Sequence, residues 1–494
     1  MNLWRVMVLS LLIVCSGVLG YATLSRGHDW GDDFATYILQ AESIAQGHPA
    51  RFIEANRFTV ERSTNFTFPL AAPWGTPLLL APLFRRYGMD ILALKSLNLA
   101  CWVLFLAALV LLLRKRHSFP LLALLVSLFA FNPTLLASLE EILSDMPFLL
   151  VSTLSVLFMG RIAVEGRPLF GKAWDALLLG ALFAAAFFIR TNGALLPATL
   201  FGIQVMKIPA LRARPRDILT GILPFVVFAA LALIWNAVFP QGGSSHMQVL
   251  ETFSLATIRH NLRFYATIPA DFFMGAPHHH AWYLASLPFF VVGMWVGARR
   301  DYHFLLYMFL TAVLYVFWPG TQGVRYLIPL LPFYIHFVFV GGRTAYEALR
   351  TPWRLPARAV GLCALLLLAL IFVKGSVSQA AVNLRNDRMA ASGPYAPVAQ
   401  EMFHYVAENT GKDAVVEFFK PRLMRMMTAR ASVRIDDPVE LDRGDYLCYR
   451  VMEKPYGQLP LADVMRFVAR GRLIQVFANA EFRVYRVVHP VGTA

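Results

Sequence analysis

The chain has 494 residues, 57% of them hydrophobic, and a mean hydropathy of +0.55. That composition excludes an ordinary soluble enzyme and points to a polytopic membrane protein. The net charge of +15 would suggest a nucleic-acid partner in a soluble protein, but here the basic residues fall in short clusters between apolar runs, a topogenic pattern that excludes that reading.

Residues 4–24 form the first apolar run, after Arg5. The run is longer than a signal-peptide core, and Tyr21-Ala22-Thr23 makes a poor cleavage site, so it reads as a retained helix with a cytoplasmic N-terminus. A polar stretch follows, containing Gly31-Asp32-Asp33-Phe34-Ala35-Thr36-Tyr37. Over residues 35–45, Tyr37, Ile38, Ala41, Ile44 and Ala45 share a helical face, with Gly47 after them. This spacing predicts an amphipathic helix lying on the membrane surface. A Pro-rich segment, Ala72-Pro73-Trp74-Gly75-Thr76-Pro77, leads toward the second span.

Further apolar runs lie at 91–113, 119–138, 143–160, 174–189, 193–206, 218–239, 281–297, 303–318, 324–340 and 358–375. With the first run they predict about eleven transmembrane helices. Charge orients them. Arg114-Lys115-Arg116-His117, then Arg161, Arg167 and Lys172, then Lys207, Arg212, Arg214 and Arg216, then Arg299-Arg300, then Arg343, Arg350, Arg354 and Arg358 close alternate runs. With an inside N-terminus every one of these clusters is cytoplasmic. The acidic stretch, Glu140–Asp145, Arg190, residues 240–280 and Gly320–Arg325 then face outward. Residues 376–494 are mixed in pattern, helix-like at 398–407 and strand-like at 414–419, 432–435, 446–451 and 472–477. An odd helix count places this part outside the cytoplasm. The expected architecture is an all-α polytopic membrane bundle over residues 1–375, with surface-lying helices in the first outer loop, and a small α/β extracytoplasmic domain over residues 376–494.

Several residues stand out at the outer face. Asp32 and Asp33 repel one another, so placing both at a membrane edge costs stability unless one is used. A carboxylate there can act as a general base on an acceptor hydroxyl or amine, or cap the surface helix. Leu139-Glu140-Glu141-Ile142-Leu143-Ser144-Asp145-Met146-Pro147 puts Asp145 at a helix start, where it would cap free amides. Glu141 and Asp145, at i and i+4, would share a face on a helix. Arg190 and Arg325 sit at outer boundaries, where an arginine either snorkels or grips a phosphate.

Other motifs carry less. Three consecutive histidines, His278-His279-His280, cannot all reach one ion from a regular element. Gly166–Ala173 mimics a phosphate-binding loop, yet Ala173 replaces the Ser or Thr that holds magnesium and no strand precedes it. The sequon Asn65-Phe66-Thr67 matters only in a eukaryotic secretory context. Cys15, Cys101, Cys363 and Cys448 have neither metal nor disulfide spacing.

The order of these features resembles the GT-C superfamily of integral membrane glycosyltransferases, nearest the protein O-mannosyltransferases and the aminoarabinose transferases that modify lipid A. Four stretches carry the likeness: Asp32-Asp33 with Tyr37, Ala72–Pro77, Ser144-Asp145-Met146-Pro147, and Arg325-Tyr326-Leu327-Ile328-Pro329. The resemblance implies a bacterial inner-membrane enzyme that transfers a sugar from a polyprenyl-phosphate donor to a glycan, lipid or protein acceptor on the outer face. Nucleotide, metal and other cofactors are not expected. It implies an inverting transfer with an aspartate base. In the aminoarabinose-transferase pattern the base precedes a tyrosine by four residues, which selects Asp33 before Tyr37 and leaves Asp32 as the second candidate. Asp145 matches the second acidic residue. Arg325 and Tyr326 are expected near the donor phosphate, with Arg190, Glu141 and Tyr37 as further binding residues. Two rival readings remain: a transporter or flippase of lipid-linked saccharides, and a non-catalytic membrane scaffold.

Overall fold

The computed structural model describes residues 2–64, 69–164, 173–207, 215–240, 254–318, 320–321, 323–349, 351–390, 392–451 and 456–489. The Asn65-Phe66-Thr67 sequon, most of the loop-like Gly166–Ala173 stretch, and Arg167, Lys172, Arg212, Arg214, Gln322 and Arg350 lie outside those residues. In chain order the helices are α1 (Leu3–Thr23), α2 (Asp33–Ala45), α3 (Pro49–Arg62), α4 (Gly75–Tyr87), α5 (Ile91–Leu113), α6 (Phe119–Ala130), α7 (Pro133–Ala137), α8 (Asp145–Val164), α9 (Ala173–Ile189), α10 (Leu195–Lys207) and α11 (Pro215–Val238). They continue as α12 (Leu255–Thr267), α13 (His279–Gly297), α14 (Tyr302–Phe317), α15 (Leu331–Ala348), α16 (Thr351–Arg385), α17 (Pro397–Asn409), α18 (Pro421–Thr428) and α19 (Leu461–Ala469).

Each apolar run of the sequence is helical. Among the described residues, however, only 5 helices are long and apolar enough to cross a membrane alone, or 6 if the pair α6 and α7, bent by 43°, forms one span. The count of about eleven is therefore not reached by this measure. α9 and α14 fall short in length, and the run at 324–340 opens with two 3-10 turns, Gly323–Tyr326 and Ile328–Leu330, before α15. α1 illustrates the division of faces. Leu3, Met7, Leu11, Val14 and Val18 are exposed along one stripe, whereas Leu9, Ser16 and Gly20 are buried. Ser16 Oγ donates to the Ala130 carbonyl at 2.6 Å and accepts from Trp102 Nε1 at 3.0 Å. Apolar residues facing outward are what a lipid-contacting helix requires, since lipid gives no reason to bury them.

The bundle core is built from large side chains at full burial, among them Trp102, Phe105, Phe129, Phe183 and Phe304. Two helices cross at near-backbone contact. A Cβ at Gly293 of α13 would lie 1.9 Å from the Phe337 carbonyl oxygen, and one at Gly341 of α15 would lie 1.8 Å from that of Phe289. Only glycines permit that approach, which is how membrane helices gain dispersion without a hydrophobic driving force.

Strands β1 (Val415–Glu417), β2 (Ala431–Val433), β3 (Tyr446–Arg450), β4 (Leu473–Ala478) and β5 (Phe482–Val487) form one sheet in the order β2-β1-β3-β5-β4. β1 pairs parallel with β2 and β3, and β5 pairs antiparallel with β3 and β4. The sequence pattern anticipated β1 to β4 and α17. It missed β5, α18 and α19.

α2 departs from expectation. Its apolar face does not lie on lipid: Phe34, Ala35, Tyr37, Ile38 and Ala41 are buried in a cluster shared with Leu80 of α4, Leu94 of α5 and Met402, Phe403, Phe418 and Leu423 near the sheet. Periodicity reveals that a face is apolar but not what covers it. Trp30, just before α2, is ringed by Phe403, Phe418, Phe419 and Phe482, with the Arg450 guanidinium 4.8 Å from its ring centre. The ends of α1 and α16 are also tied. Arg388 Nη1 donates to the Tyr21 and Leu24 carbonyls at 2.7 and 2.8 Å, Arg26 N–H donates to the Arg388 carbonyl at 2.8 Å, and Asn383 Nδ2 donates to the Thr23 carbonyl.

Candidate active site

Four chain segments meet above the bundle. α2 begins at Asp33, with Asp32 as the residue before the helix. α8 begins at Asp145. Arg190 follows α9 in an extended conformation, and Arg325 lies in the 3-10 turn before α15. The Pro-rich segment packs against this junction. A Cβ at Gly75 would lie 2.6 Å from the carbonyl carbon and oxygen of Phe188, so glycine lets the start of α4 touch the end of α9.

Asp145 is the hub. Its Oδ1 accepts from Arg190 Nη1 at 2.6 Å and its Oδ2 from Arg325 Nε at 3.1 Å. Arg325 Nη1 also lies 3.9 Å from Asp33 Oδ2. The side chain of Asp145 is 5% exposed, that of Asp33 40%. The two carboxylates therefore differ in kind: one is enclosed between guanidinium groups, the other is open to solvent. The Arg190 guanidinium sits 5.6 Å from the Tyr326 ring centre, and Tyr326 stacks on Tyr315 at 4.7 Å. Tyr315 accepts a 2.7 Å hydrogen bond from Asn192 Nδ2. Tyr37 donates to Ser144 Oγ at 3.2 Å, joining α2 to the start of α8. Burial, reinforced by Asp33, pushes the Tyr37 phenol above its ordinary range.

These groups open onto a cavity of about 560 Å3, within the range of small-molecule sites. Asp33, Tyr37, Ser144, Arg190, Arg325 and Tyr326 line it on the polar side. Trp74, Phe187, Phe188, Trp235, Leu314 and Trp318 line it on the apolar side. Phe188 and Trp235 are stacked at 4.0 Å with an interplanar angle of 2°.

Asp33, Tyr37, Arg190, Arg325 and Tyr326 thus share one cavity, and Asp145 lies behind its arginines without lining it. Asp32 and Glu141 do not line it either. Asp32 is buried and turned away: its Oδ1 accepts from the backbone N–H groups of Arg422 and Leu423 at 3.1 and 3.4 Å, and its Oδ2 lies 3.6 Å from Arg422 Nη1. Burial raises the Asp32 carboxyl, opposed by Arg422 and Lys420.

Glu141 fails to share a face with Asp145 because α8 starts only at Asp145. Glu141 is extended, at φ −91° and ψ 121°, so the i, i+4 relation has no helical meaning there. Its carboxylate sits 3.4 Å from His28 Nε2. Burial, with Asp29 nearby, pushes Glu141 up to about 7. His28 is held down at about 3 by burial, and its Nε2 accepts the Ile142 N–H at 3.0 Å. Glu140 pairs elsewhere, with the buried ammonium of Lys95, which also donates to the Ser25 carbonyl at 3.0 Å. Among the described residues no group of three or more His, Cys, Asp or Glu side chains has the arrangement of a metal site.

The sequence reading missed Arg422, which lines the cavity from the sheet side, and Lys95, a lone cation within an apolar run. The second carried a visible signal, because a lysine in such a run demands a partner.

No protein-family model matches the chain, and no curated protein matches it by sequence. Solved structures do match its fold. The crystal structure of ArnT from Cupriavidus metallidurans bound to undecaprenyl phosphate aligns at a TM-score of 0.61 and 10% identity, over 96% of this chain and 97% of that one. The Archaeoglobus fulgidus oligosaccharyltransferase in its apo form aligns at a TM-score of 0.61 and 10% identity, over 91% of this chain and 70% of that one. The oligosaccharyltransferase AglB from Archaeoglobus fulgidus in complex with an inhibitory peptide and a dolichol-phosphate aligns at a TM-score of 0.52 and 11% identity, over 87% of this chain and 64% of that one. In its fold, this chain is therefore similar to the integral membrane glycosyltransferases of the GT-C superfamily.

Proposed function

We propose that this protein transfers a sugar from a polyprenyl-phosphate carrier to an acceptor on the extracytoplasmic face of a bacterial inner membrane, with Asp33 as the general base. One observation carries the reading: an open carboxylate, Asp33, shares a cavity with two arginines that a second, buried carboxylate, Asp145, holds in place. The fold neighbours solved with undecaprenyl phosphate and with a dolichol-phosphate support a lipid-linked donor.

The chemistry balances. An acceptor hydroxyl or amine attacks the anomeric carbon and gives its proton to Asp33. The bond from that carbon to the phosphate oxygen breaks, and the polyprenyl phosphate leaves with the electron pair. Attack opposite the leaving group inverts the anomeric centre. Negative charge moves during the step from Asp33 toward the phosphate, hence toward Arg190 and Arg325. A fixed cationic pair aimed at developing charge stabilises the transition state more than the ground state. Two guanidinium charges less the Asp145 charge leave one net positive charge, which suits the single negative charge of a phosphodiester donor. Asp145 then acts by positioning the arginines, and Asp32 by fixing α2. Tyr326 and Tyr37 border the donor head, and Glu141 stands apart from it. The apolar wall of Trp74, Phe188 and Trp235 suits the first isoprene units of the carrier. In this reading residues 1–375 form the membrane transferase unit and residues 376–494 an extracytoplasmic domain.

The test is transfer from labelled polyprenyl-phosphate sugars by the full chain in proteoliposomes, wild type against Asp33→Asn. Wild-type transfer and its loss by at least about 100-fold in the variant is the expected result, the scale of a general-base contribution. Full activity of the variant would remove Asp33 from the role. Carrier movement across the bilayer without transfer would favour the flippase reading, and neither activity the scaffold.

A further inference from the structure

Asp32 and Asp33 are neighbours whose carboxylates point to different places. Asp33 reaches the cavity. Asp32 reaches 390 residues along the chain to the N-terminus of α18, where the residue before the helix makes no side-chain cap of its own. It accepts the Arg422 and Leu423 N–H groups, so it caps a helix to which it does not belong. The Arg422 guanidinium completes the arrangement. It lies 3.6 Å from Asp32 Oδ2, donates through Nε to Asn56 Oδ1 of α3 at 2.8 Å, and donates through Nη2 to the Pro69 carbonyl at 3.1 Å. Both side chains are almost wholly enclosed, Arg422 at 2% and Asp32 at 5% exposure, and Arg422 and Pro69 both line the cavity.

We propose that Arg422 is a positioning residue for the transfer reaction: through Asp32, Asn56 and Pro69 it fastens three parts of the first outer loop to the sheet domain and thereby sets the direction in which Asp33 faces. The inference rests on the reading of Asp33 as base. It gives the C-terminal domain a part in the site itself, because α18 supplies both the guanidinium and the helix N-terminus that hold Asp32. Besides Arg422, the charged groups acting on that carboxylate among the described residues are Lys420 and Arg425, both on the same domain, and Asp33, which repels it. Remove Arg422 and the two adjacent carboxylates face each other with one restraint fewer. α2 is then free to rotate at its first turn, the turn that carries Asp33.

The experiment uses the full chain in lipid nanodiscs as wild type, Arg422→Lys and Asp32→Asn. Asp32→Asn keeps the shape and can still accept the backbone N–H groups, so it reads the charge alone and serves if the arginine variant folds poorly. Hydrogen exchange should rise at least tenfold in residues 29–37 of both variants, while residues 145–160 stay within twofold of wild type. Quenching of cavity tryptophans by undecaprenyl phosphate should keep its midpoint within twofold, and turnover with a labelled donor should fall at least tenfold. Unchanged exchange in 29–37 would overturn the proposal. Binding of undecaprenyl phosphate lost in step with turnover would also overturn it, by assigning Arg422 to the phosphate. If wild type transfers no sugar, the functional reading fails, while the exchange measurement still decides whether the fastening exists.

Discussion

Replacing Asp145 with asparagine is the sharpest probe of how the cavity holds its charge. The substitution keeps shape and removes one negative charge from between Arg190 and Arg325, 2.6 and 3.1 Å away. Both guanidiniums then crowd a neutral amide. Breaking one partner out of a buried ion pair costs ~3–5 kcal/mol, because the remaining charge is left without compensation. Arg325 is 30% exposed and Arg190 14%, so water reaching through the cavity relieves part of this, and about 3 kcal/mol is the expected loss. The exposed pair Arg343–Glu347 provides the control. Its contact is 2.7 Å, yet its side chains are 61% and 56% exposed, and its loss should cost only ~0.3–0.5 kcal/mol. Distance is nearly the same in the two cases, so burial makes the difference. The assay is denaturant or thermal unfolding of the full chain in one detergent, combined with undecaprenyl-phosphate binding. Because Asp145 orients both arginines, the Asp145→Asn and Arg190→Gln effects on binding should not add: the double variant should be about as weak as the worse single variant. Additive losses, or stability of Asp145→Asn equal to that of Glu347→Gln, would refute the account of Asp145 as the common anchor.

Other outcomes follow from particular contacts. Glu141 has a folded-state value of about 7 against an ordinary 4.5, so the folded chain binds more protons than the unfolded one between those limits. The group's contribution is therefore complete below about 4.5 and is lost as pH rises through 7, by up to about 3 kcal/mol. Glu141→Gln should flatten the fall in melting temperature between pH 5 and 7.5, and an unchanged slope would count against the assignment. Gly293→Ala places a methyl group within 1.9 Å of a backbone oxygen, and forced separation of α13 from α15 should cost at least ~1–3 kcal/mol, read as a lower melting temperature. Trp235→Ala removes the ring stacked on Phe188. It should weaken binding of undecaprenyl phosphate but leave binding of inorganic phosphate unchanged, which titration calorimetry with each ligand can check.

Sequence and structure agree where local physics decides. A run of apolar residues favours a helix in lipid, so each run is helical, while α9 and α14 are too short to count as spans. The grouping of Asp33, Arg190 and Arg325 was legible because charges at the ends of apolar runs have few places to go. What was not legible depended on long-range partners. The periodicity of α2 announced an apolar face, but its cover is drawn from α4, α5 and residues beyond 398. The choice between Asp32 and Asp33 could be made only by resemblance, because the partner of Asp32 is Arg422, and no spacing rule links residues so distant. Glu141 was misread because the helix it was placed on begins four residues later. β5 escaped because it has no one-sided alternation: Phe482 and Val484 are buried on one face and Tyr485 and Val487 on the other, with Arg483 and Arg486 interspersed.

The tie between the ends of α1 and α16 has a consequence for biogenesis. Asn383 and Thr23 are 360 residues apart in sequence. At a synthesis rate of ~5–20 residues per second, the segment after α1 waits roughly 20–70 s before its partners around Asn383 and Arg388 are made. Until then Trp30 and the apolar side of α2 lack the aromatic residues that later enclose them. The nascent segment after α1 thus needs its apolar surface shielded, and a chain halted before α16 would display an unfinished, aggregation-prone face.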